Sequence, residues 1–227
     1  MNMWDERYRA HETVYGTTPN VFWASQLGVL ATGAASGAAS GGTSGAASGG
    51  TSESVRGTAA LPCDGEGRNA VAAAKAGWDV WSFDASEVGV KKSLNLAEEA
   101  GVSIRAEVGD AFEVEPGKQF DVVGLVFAHM PADRRAEFHR RAWSWVKPGG
   151  RLVVEGFHRD QLGLTSGGPK DVAMLFEEST LASDLFGGEE AADGRVLWRA
   201  RCEQILDEGP FHQGPAVTCQ WVIEKNA

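Results

Sequence analysis

Residues 59–86 contain two apolar runs that are joined by a glycine turn and a helix-like segment. The first run ends in the Gly-x-Gly turn of Gly65 and Gly67, and the second ends in Asp84. This order predicts the strand, turn, helix and strand from which a doubly wound sheet is built. Glycine allows the backbone to approach a ligand closely, and an acid that ends the second strand accepts hydrogen bonds from ribose hydroxyls. The segment therefore predicts a site for an adenosine-containing cofactor.

The glycine spacing alone leaves the kind of cofactor open, because Ala70 stands where a dinucleotide fingerprint has its third glycine. Later segments narrow the choice. Strands are predicted over 57–62, 78–83, 102–107, 120–127, 150–157, 196–206 and 216–224, with a helix over 132–146. This succession, with the turn Lys147-Pro-Gly-Gly150 before a strand, resembles the class I S-adenosylmethionine (SAM)-dependent methyltransferases. The resemblance implies an α/β, Rossmann-like, doubly wound sheet of seven strands, mostly parallel with an antiparallel C-terminal hairpin strand.

A narrower resemblance rests on an ordered set of motifs along the chain. They are Trp4-Asp-x-Arg-Tyr8, Tyr15-Gly-x-x-Pro-Asn20, Gly65-Glu-Gly-Arg-Asn69, His129-x-Pro131, Gln161-Leu-Gly-x-x-x-Gly-Gly-Pro169 and His212-x-Gly214 with Val217-x-x-Gln220. Together they are similar to the small methyltransferases grouped with the tellurite-resistance and thiopurine methyltransferases. The resemblance covers nearly the whole chain except residues 31–52.

Length and charge limit the classes of partner. A chain of 227 residues fits one well-buried domain. The formal net charge is −10 and no basic run is present, which argues against nucleic-acid and anionic membrane partners. No apolar run reaches the roughly 20 residues of a membrane helix, the N-terminus has no signal-peptide core, and three cysteines fit a reducing compartment. We therefore expect a cytoplasmic protein, a monomer or weak homodimer, acting on a small molecule.

Residues 31–52 contain Gly, Ala, Ser and Thr alone and repeat in tetrapeptides from Gly33. Side chains this small bury too little area to offset the entropy of ordering, so a flexible loop is predicted. It separates an N-terminal arm and helix (1–30) from a Rossmann-like core (53–227) within a single domain spanning 1–227. The helix before it is predicted to begin at Pro19 with Thr18 as its cap. We expect a neutral repeat expansion there; a functional tether is the alternative.

The family resemblance also implies which residues hold the cofactor. Gly65 and Gly67 would bring backbone against the methionine half of SAM, Asp84 would take the ribose hydroxyls, and Asp110 would pair with the adenine amino group. The predicted cofactor-binding residues are Trp4, Tyr15, Cys63, Gly65, Glu66, Gly67, Arg68, Asn69, Asp84, Ala85, Asp110, Ala111, Phe112 and Phe127.

Two positions depart from the pattern of many class I enzymes. Leu61 replaces the acid that would hold the ammonium group of the cofactor, and Cys63 replaces the first glycine. Asp64 or Glu66 is expected to supply the missing carboxylate from a shifted position. The alternative is a weakened affinity for SAM.

Few catalytic side chains are expected, because an in-line methyl transfer mainly needs alignment and exclusion of water. His129 follows the fourth strand and is the predicted acid–base residue; Glu155, in the fifth strand, is predicted to bind a cation or to orient His129. His212 is predicted to be structural, because its loop is expected on the far side of the sheet from the end of the fifth strand. No set of cysteines and histidines has metal-ligand spacing, so no metal is predicted.

The N-terminal arm carries Trp4, Tyr8 and Tyr15, with Phe22 behind them. In related enzymes such an arm lies over the cofactor and excludes water. Simple packing onto the domain surface is an equally weighted alternative.

The resulting hypothesis is SAM-dependent methyl transfer to a small molecule. The more specific hypothesis, that the accepting atom is a soft sulfur, selenium or tellurium nucleophile, rests on family analogy. Two alternatives stay open: a methyltransferase for protein side chains, and a non-catalytic SAM-binding protein, the latter because of Leu61 and Cys63. A nucleotide-dependent oxidoreductase is a more distant fourth, because the Lys147–Gly150 turn and the terminal hairpin are foreign to that fold.

Overall fold

The computed structural model describes residues 3–36, 55–187 and 193–227. Its centre is one seven-stranded sheet with the strand order β3-β2-β1-β4-β5-β7-β6. The first five strands pair in parallel, and β7 runs antiparallel to both β5 and β6. The strands are β1 (Thr58–Pro62), β2 (Asp79–Asp84), β3 (Arg105–Val108), β4 (Phe120–Val126), β5 (Val146–Phe157), β6 (Gly194–Asp207) and β7 (Gln213–Lys225). The predicted fold class is confirmed.

Six α-helices lie around this sheet in the described ranges. They are α1 (Met3–Arg9), α2 (Val21–Ser36), α3 (Arg68–Lys75), α4 (Glu87–Glu99), α5 (Ala132–Ser144) and α6 (Thr180–Phe186). Three predicted strand starts differ from the structure by three residues or more, and one of them is that of β7, which begins at Gln213 rather than 216. The third strand begins at Arg105 rather than 102, and the fifth begins at Val146, so the predicted turn Lys147–Gly150 lies inside β5. The register of β5 against β4 shifts between Phe120 and Val122, which accommodates the glycines.

The start of α2 also differs from the prediction. The Oδ1 atom of Asn20 accepts a hydrogen bond from the backbone N–H of Trp23 at 2.8 Å, so Asn20 is the cap rather than Thr18, and Pro19 lies outside the helix. The helix then continues through 31–36, which was predicted to be loop. Alanine favours helix continuation. The remainder of the predicted loop falls outside the described residues.

Two apolar clusters fill the two faces of the sheet. On one face α5 packs over a cluster that includes Phe138 and Trp221. On the other face α2 and α3 cover a second cluster around Trp23. The indole of Trp23 lies on Gly124 of β4, where a Cβ atom would come within 2.6 Å of the ring. Burying about 200 Å² of indole contributes roughly 5 kcal/mol, and it fixes the chain that enters α2 beside the sheet.

No described helix combines the length and apolar character that crossing a membrane would require.

Candidate functional site

The strand order reverses between β1 and β4, because β2 and β3 follow on one side of β1 and β4 and β5 on the other. Doubly wound sheets bind ligands in the crevice at the carboxyl ends of the strands at such a reversal. The predicted residues Cys63 and Phe127 directly follow β1 and β4, Asp84 ends β2, and Asp110 lies two residues after β3. The structure therefore places these four predicted positions along one edge of the sheet.

Two residues at this edge have an unusual backbone. Cys63 has a φ of 57° and Phe127 a φ of 54°, and they are the non-glycine residues with positive φ in the described part of the chain. This conformation costs an L-residue roughly 1–2 kcal/mol, and strained backbone clusters at binding sites. Cys63 stands where the sequence resemblance expects a glycine, and the structure keeps the left-handed turn there at the cost of strain.

This strain predicts an order of stability among variants at position 63. In Cys63→Gly, relief of the left-handed conformation is offset by a more flexible unfolded chain and lost packing, so the free energy of unfolding should stay within about 1 kcal/mol of the parent. In Cys63→Val, a β-branched side chain in the left-handed region should lower the free energy of unfolding by about 1–3 kcal/mol. Urea denaturation measures both changes.

The control for these variants is Cys202→Val, because Cys202 lies in extended β6 backbone, where a β-branched residue is favoured. This variant should change stability little. Equal stability of Cys63→Val and Cys63→Gly would contradict the strain at position 63.

The glycine turn is in close contact with its surroundings. Gly65 (φ 58°) lies under the phenol of Tyr8, whose Oη would come within 2.5 Å of a Cβ atom at position 65. Gly67 (φ 87°) lies against the backbone of Ser93 in α4, 2.7 Å from where its own Cβ would stand. Both positions therefore require glycine, and the N-terminal arm lies on the turn that was predicted to hold the cofactor.

Asp84 closes the turn from the end of β2. Its Oδ2 accepts a hydrogen bond from the Gly65 N–H at 3.0 Å, and its Oδ1 accepts one from the Ser86 N–H at 2.9 Å. The side chain is buried, and burial raises the pKa of its carboxyl. Each carboxylate oxygen accepts more than one hydrogen bond, so Asp84 keeps acceptor capacity while it ties the turn to the start of α4.

Glu66 holds the N-terminal arm. Its Oε2 accepts from the backbone N–H groups of Val14 at 2.8 Å and Tyr15 at 3.3 Å, and its Oε1 pairs with Lys92 Nζ at 2.9 Å. The same Lys92 ammonium donates to the backbone carbonyls of Tyr8, His11 and Glu12. Glu66 was predicted to contact the cofactor, but its carboxylate is engaged by the chain itself.

Arg68 and Asn69 were also predicted to bind the cofactor, and they too bind protein groups. Arg68 pairs with Glu208 at 2.6 Å, and both side chains are buried. Asn69 accepts from the Asn20 N–H at 3.0 Å and donates to Asp64 at 3.1 Å. These contacts join the arm, the glycine turn and the C-terminal hairpin.

Asp64 is the remaining candidate for the ammonium group of the cofactor, because Glu66 is occupied. Its carboxylate accepts from the Asn69 side chain and from the Ala70 N–H at 3.0 Å. Burial raises the pKa of the Asp64 carboxyl to about 7, against these hydrogen bonds, which lower it. A cationic group nearby would favour the ionised form.

The adenine end of the predicted site lies after β3. Asp110 is exposed, and its Oδ1 accepts from the Phe112 N–H at 2.7 Å, which shapes the turn. Ala111 is buried and Phe112 is half-buried. The guanidinium carbon of Arg134 lies 3.4 Å from the centroid of the Phe112 ring, an aromatic contact that the sequence did not indicate. Ala85 is exposed on the same edge.

His129 makes two hydrogen bonds with backbone groups. Its Nδ1 lies 2.9 Å from the carbonyl oxygen of Met174, and its Nε2 lies 2.8 Å from the backbone nitrogen of Phe157. A carbonyl only accepts and an N–H only donates, so Nδ1 carries the proton and Nε2 is already an acceptor. Burial lowers the pKa of His129 to about 4. The structure thus leaves no ring nitrogen for the predicted acid–base role, and His129 joins β5 to the segment before α6.

Glu155 is buried at the centre of a hydrogen-bond network. Its Oε2 accepts from Asn20 Nδ2 at 2.6 Å, and its Oε1 accepts from Gln204, Thr218 and Gln220, each at 2.9 Å. Four donors satisfy a buried carboxylate well. Glu155 therefore connects α2 to β6 and β7, and it makes no hydrogen bond to His129, contrary to the predicted orienting role.

His212 lies at the site, although it was predicted to be remote. Because β7 is antiparallel to β5, its first residues meet the carboxyl end of β5, with Thr218 opposite Phe157. The His212 ring centroid is 4.5 Å from those of Phe127 and Tyr15. The loop before β7 therefore reaches the edge that carries the predicted cofactor residues.

A carboxylate accompanies this histidine. The Nδ1 atom of His212 lies 3.4 Å from Oε2 of Glu208, and both side chains are buried. Burial lowers the pKa of His212, against the hydrogen bond to Glu208, which raises it. Donation from Nδ1 to Glu208 leaves Nε2 as a proton acceptor.

The N-terminal arm packs on this region through aromatic contacts. Trp4 stacks on Tyr8 with centroids 5.7 Å apart, and the Arg7 guanidinium lies over both Trp4 and Phe211. Arg7 also donates to the Tyr15 hydroxyl at 3.2 Å. The predicted arm residues therefore cover the edge of the sheet between the glycine turn and the loop of His212.

Comparison with known proteins agrees with this arrangement. Residues 63–150, from the turn after β1 to the start of β5, match a family model described as a methyltransferase domain. No curated protein matches the sequence significantly.

Three solved structures illustrate the fold. NodS, an N-methyltransferase from Bradyrhizobium japonicum WM9 solved with S-adenosyl-L-homocysteine, is 14% identical with a TM-score of 0.64, over 98% of this chain and 96% of NodS. TehB from Haemophilus influenzae is 15% identical with a TM-score of 0.59, over 75% of this chain and 58% of TehB. A protein from a structure described as the conversion of a disulfide bond into a thioacetal group during echinomycin biosynthesis is 13% identical with a TM-score of 0.67, over 99% of this chain and 91% of that one.

At these identities the structural likeness shows the fold, and the chemistry is indicated by the matched domain. The match begins at Cys63, in the turn that the sequence predicts for the cofactor. Residues 63–150 therefore match a methyltransferase domain, and they do so within a fold that this chain shares with NodS, a methyltransferase whose structure contains S-adenosyl-L-homocysteine.

Proposed function

We propose that this protein transfers the methyl group of SAM to a small molecule, and that the accepting atom is a soft sulfur, selenium or tellurium nucleophile. The observation that carries the proposal is the buried pair of His212 and Glu208 beside the aromatic side chains of Phe127 and Tyr15. A thiol has an ordinary pKa of about 8.5 and is the acid that a neutral imidazole deprotonates most readily among common acceptors.

The residues at the switch point fit the cofactor. Gly65 and Gly67 present backbone without side chains, Asp84 keeps acceptor capacity for ribose hydroxyls, and exposed Asp110 with Phe112 suits an adenine ring. SAM, when bound, supplies an electrophilic methyl group on a sulfonium. We propose these five residues as the cofactor-binding set; Asp64 joins it as the partner of the ammonium group.

The acceptor side of the proposal depends on the state of His212. Glu208 fixes the imidazole with its proton on Nδ1, so Nε2 takes the proton of the acceptor thiol. The lowered pKa of His212 keeps the ring neutral and receptive at pH 7. The aromatic contacts of Tyr15 and Phe127 exclude water from the ring and favour a polarizable acceptor over a strongly hydrated one.

One structural neighbour supports the choice of sulfur. Its structure concerns the conversion of a disulfide bond into a thioacetal group, which is chemistry at sulfur, and it aligns with 99% of this chain. NodS, an N-methyltransferase, aligns over a similar share, so nitrogen acceptors are the competing class.

A panel of acceptors tests the proposal. Purified protein is incubated with SAM and matched small thiols, selenols, amines and phenols, and formation of S-adenosyl-L-homocysteine is followed together with the methylated product. We expect turnover with thiols and selenols to exceed turnover with amines by 100-fold or more. Preferred methylation of amines, or of protein side chains in a basic protein substrate, would overturn the choice of acceptor while leaving the cofactor assignment intact.

The cofactor assignment has its own test at Asp84. Asp84→Asn keeps the volume of the side chain but replaces an oxygen acceptor with a donor, so SAM affinity should fall by about 1–3 kcal/mol, or roughly 5- to 150-fold. Calorimetric titration with SAM measures the loss. Asp79→Asn, an exposed change at the other end of β2, is the matched control and should leave affinity unchanged. A folded Asp84→Asn protein with the parental SAM affinity would contradict the assignment.

A further inference from the structure

Three potential metal ligands meet on the α5 face of the sheet, away from the carboxylate network of Glu155. They are His158, Glu178 and Cys219, and their ligand atoms all lie within 4.8 Å of one another. His158 directly follows β5, Cys219 lies in β7 opposite Gly156, and Glu178 precedes α6. Sequence spacing does not reveal such a set, because three separate elements contribute one ligand each.

We propose that His158, Glu178 and Cys219 form a binding site for a divalent metal ion of the zinc type. Imidazole nitrogen, thiolate sulfur and carboxylate oxygen are the ligands that zinc uses, and three protein ligands leave the fourth tetrahedral position to water. Tetrahedral zinc with bonds of 2.0–2.3 Å places its ligand atoms about 3.5 Å apart. His158 Nε2 and Glu178 Oε2 are 3.5 Å apart. Because no two ligand atoms are more than 4.8 Å apart, the longest separation needs to contract by about 1.3 Å at most.

The surroundings of His158 suit a metal ligand. Its Nδ1 lies 3.2 Å from Oδ2 of Asp160, and Arg201 donates to the same oxygen at 2.7 Å. Nδ1 also accepts a hydrogen bond from the Asp160 N–H at 3.1 Å, so the contacts with Asp160 fix the ring with Nε2 directed towards Glu178. A metal ion at Nε2 would replace the proton that a neutral ring carries on that nitrogen.

Burial and access are also compatible with metal binding. His158 and Cys219 are buried, whereas the Glu178 side chain is 46% exposed, so an ion enters from the side of Glu178. Cys219 is a free cysteine, so binding forms one metal–sulfur bond and releases the thiol proton to solvent. The bound ion would fasten the segment before α6 to β5 and β7.

Cobalt(II) is the probe for the first experiment, because a cobalt–thiolate bond gives a charge-transfer band in the near ultraviolet. The full chain is freed of metal with a chelator, titrated with Co²⁺, and then titrated with Zn²⁺ in competition. We expect one Co²⁺ per chain, a charge-transfer band, and displacement by one Zn²⁺. Absence of stoichiometric binding, or binding without the charge-transfer band, would overturn the proposal.

Two variants locate the site. Cys219→Ser should abolish the band and weaken Zn²⁺ binding by more than about 100-fold, since loss of a ligand exceeds the effect of losing an outer partner. Cys202→Ser is the matched control, because Cys202 is a neighbouring free cysteine on β6 that pairs with Thr218, and it should retain the band. Loss of the band in both variants, or in neither, would contradict the assignment.

His158→Asn provides a second variant should the β7 substitution impair folding. The His158 side chain accepts a hydrogen bond from the Asp160 N–H at 3.1 Å and caps the short 3₁₀ helix that follows. Asparagine is a favoured cap, so this interaction survives while Nε2 is removed. The affinity for Zn²⁺ should fall by more than about 100-fold, as in Cys219→Ser. Unchanged affinity in a folded His158→Asn protein would overturn the proposal.

Discussion

Replacing His212 by glutamine is expected to lower kcat for a thiol acceptor by about 100-fold or more, with SAM affinity unchanged. A positioned acid–base group contributes roughly 10²–10⁴-fold to rate. Glutamine keeps a polar side chain of similar reach towards Glu208, but its amide cannot take up a proton at neutral pH. Stopped assays of product formation at saturating SAM measure kcat, and calorimetry measures the affinity for SAM.

The pH profile gives a second readout of the same residue. Burial lowers the pKa of His212, and the hydrogen bond to Glu208 opposes this shift. The base is active when neutral, so activity of the parent protein should fall as pH decreases through a pKa below the ordinary value of about 6.5. The His212→Gln variant should lack this acidic limb.

His139 offers a matched control, because it is a second buried histidine paired with a carboxylate. Its Nδ1 lies 2.8 Å from Oδ2 of Asp184 in α6, far along the chain from the His212 loop. His139→Gln should leave kcat and the pH profile unchanged, whatever its effect on stability. An unchanged kcat in His212→Gln, or an equal loss in His139→Gln, would show that His212 is not the base.

The sheet and its cofactor edge could be predicted from the sequence because their signals are local. Gly65, Gly67 and Asp84 stand at the ends of apolar runs, and the carboxyl ends of parallel strands share one edge of a sheet. Placement along the edge therefore follows from the order of elements alone. The backbone conformation is harder to predict, because Cys63 adopts a left-handed backbone even though it is not glycine.

The contacts of the predicted site residues could not be read from local patterns. Glu66 and Arg68 lie in a motif next to the glycine turn, yet Glu66 binds backbone 51 and 52 positions away and Arg68 binds Glu208, 140 positions away. Nothing in the motif distinguishes a side chain that faces a ligand from one that faces another part of the chain.

The two histidines show the same limit. His129 follows a strand end, which favours function, but only the folded chain brings a backbone carbonyl and a backbone N–H to its two nitrogens. His212 was placed on the wrong side because the direction of β7 relative to β5 decides which edge its first residues reach. Pairing the last strand antiparallel to β5 would have predicted that the loop before it, which carries His212, lies at the carboxyl end of β5.

Arg68→Met is expected to lower the free energy of unfolding at pH 7 by about 3–5 kcal/mol. Removing one member of a buried ion pair leaves the other charge without its partner in a poorly solvated site. Here Glu208 would keep Asn20 and His212 as neighbours, at 3.1 and 3.4 Å, but would lose the guanidinium at 2.6 Å. The variant also loses the hydrogen bond from Arg68 to the Thr18 carbonyl. Urea denaturation monitored by tryptophan fluorescence measures the change.

The pH dependence of this loss separates charge burial from lost packing. In the parent protein, burial raises the pKa of Glu208, but His212 and Arg68 outweigh it and the net shift is downward. Without Arg68, burial dominates and the carboxylate takes up a proton more readily. The stability gap between variant and parent should therefore narrow as pH falls from 7 towards 5, because a protonated Glu208 no longer needs the cation.

A double-mutant cycle completes the argument. Adding Glu208→Gln to Arg68→Met removes the unpaired charge, so the double variant should recover part of the lost stability, and the two single losses should not add. Arg105→Met, which breaks the exposed pair with Glu107, is the control and should cost about 1 kcal/mol or less. A loss in Arg68→Met no larger than in this control, with the same value at every pH, would mean that the arm and the C-terminal hairpin are held together by packing rather than by this ion pair.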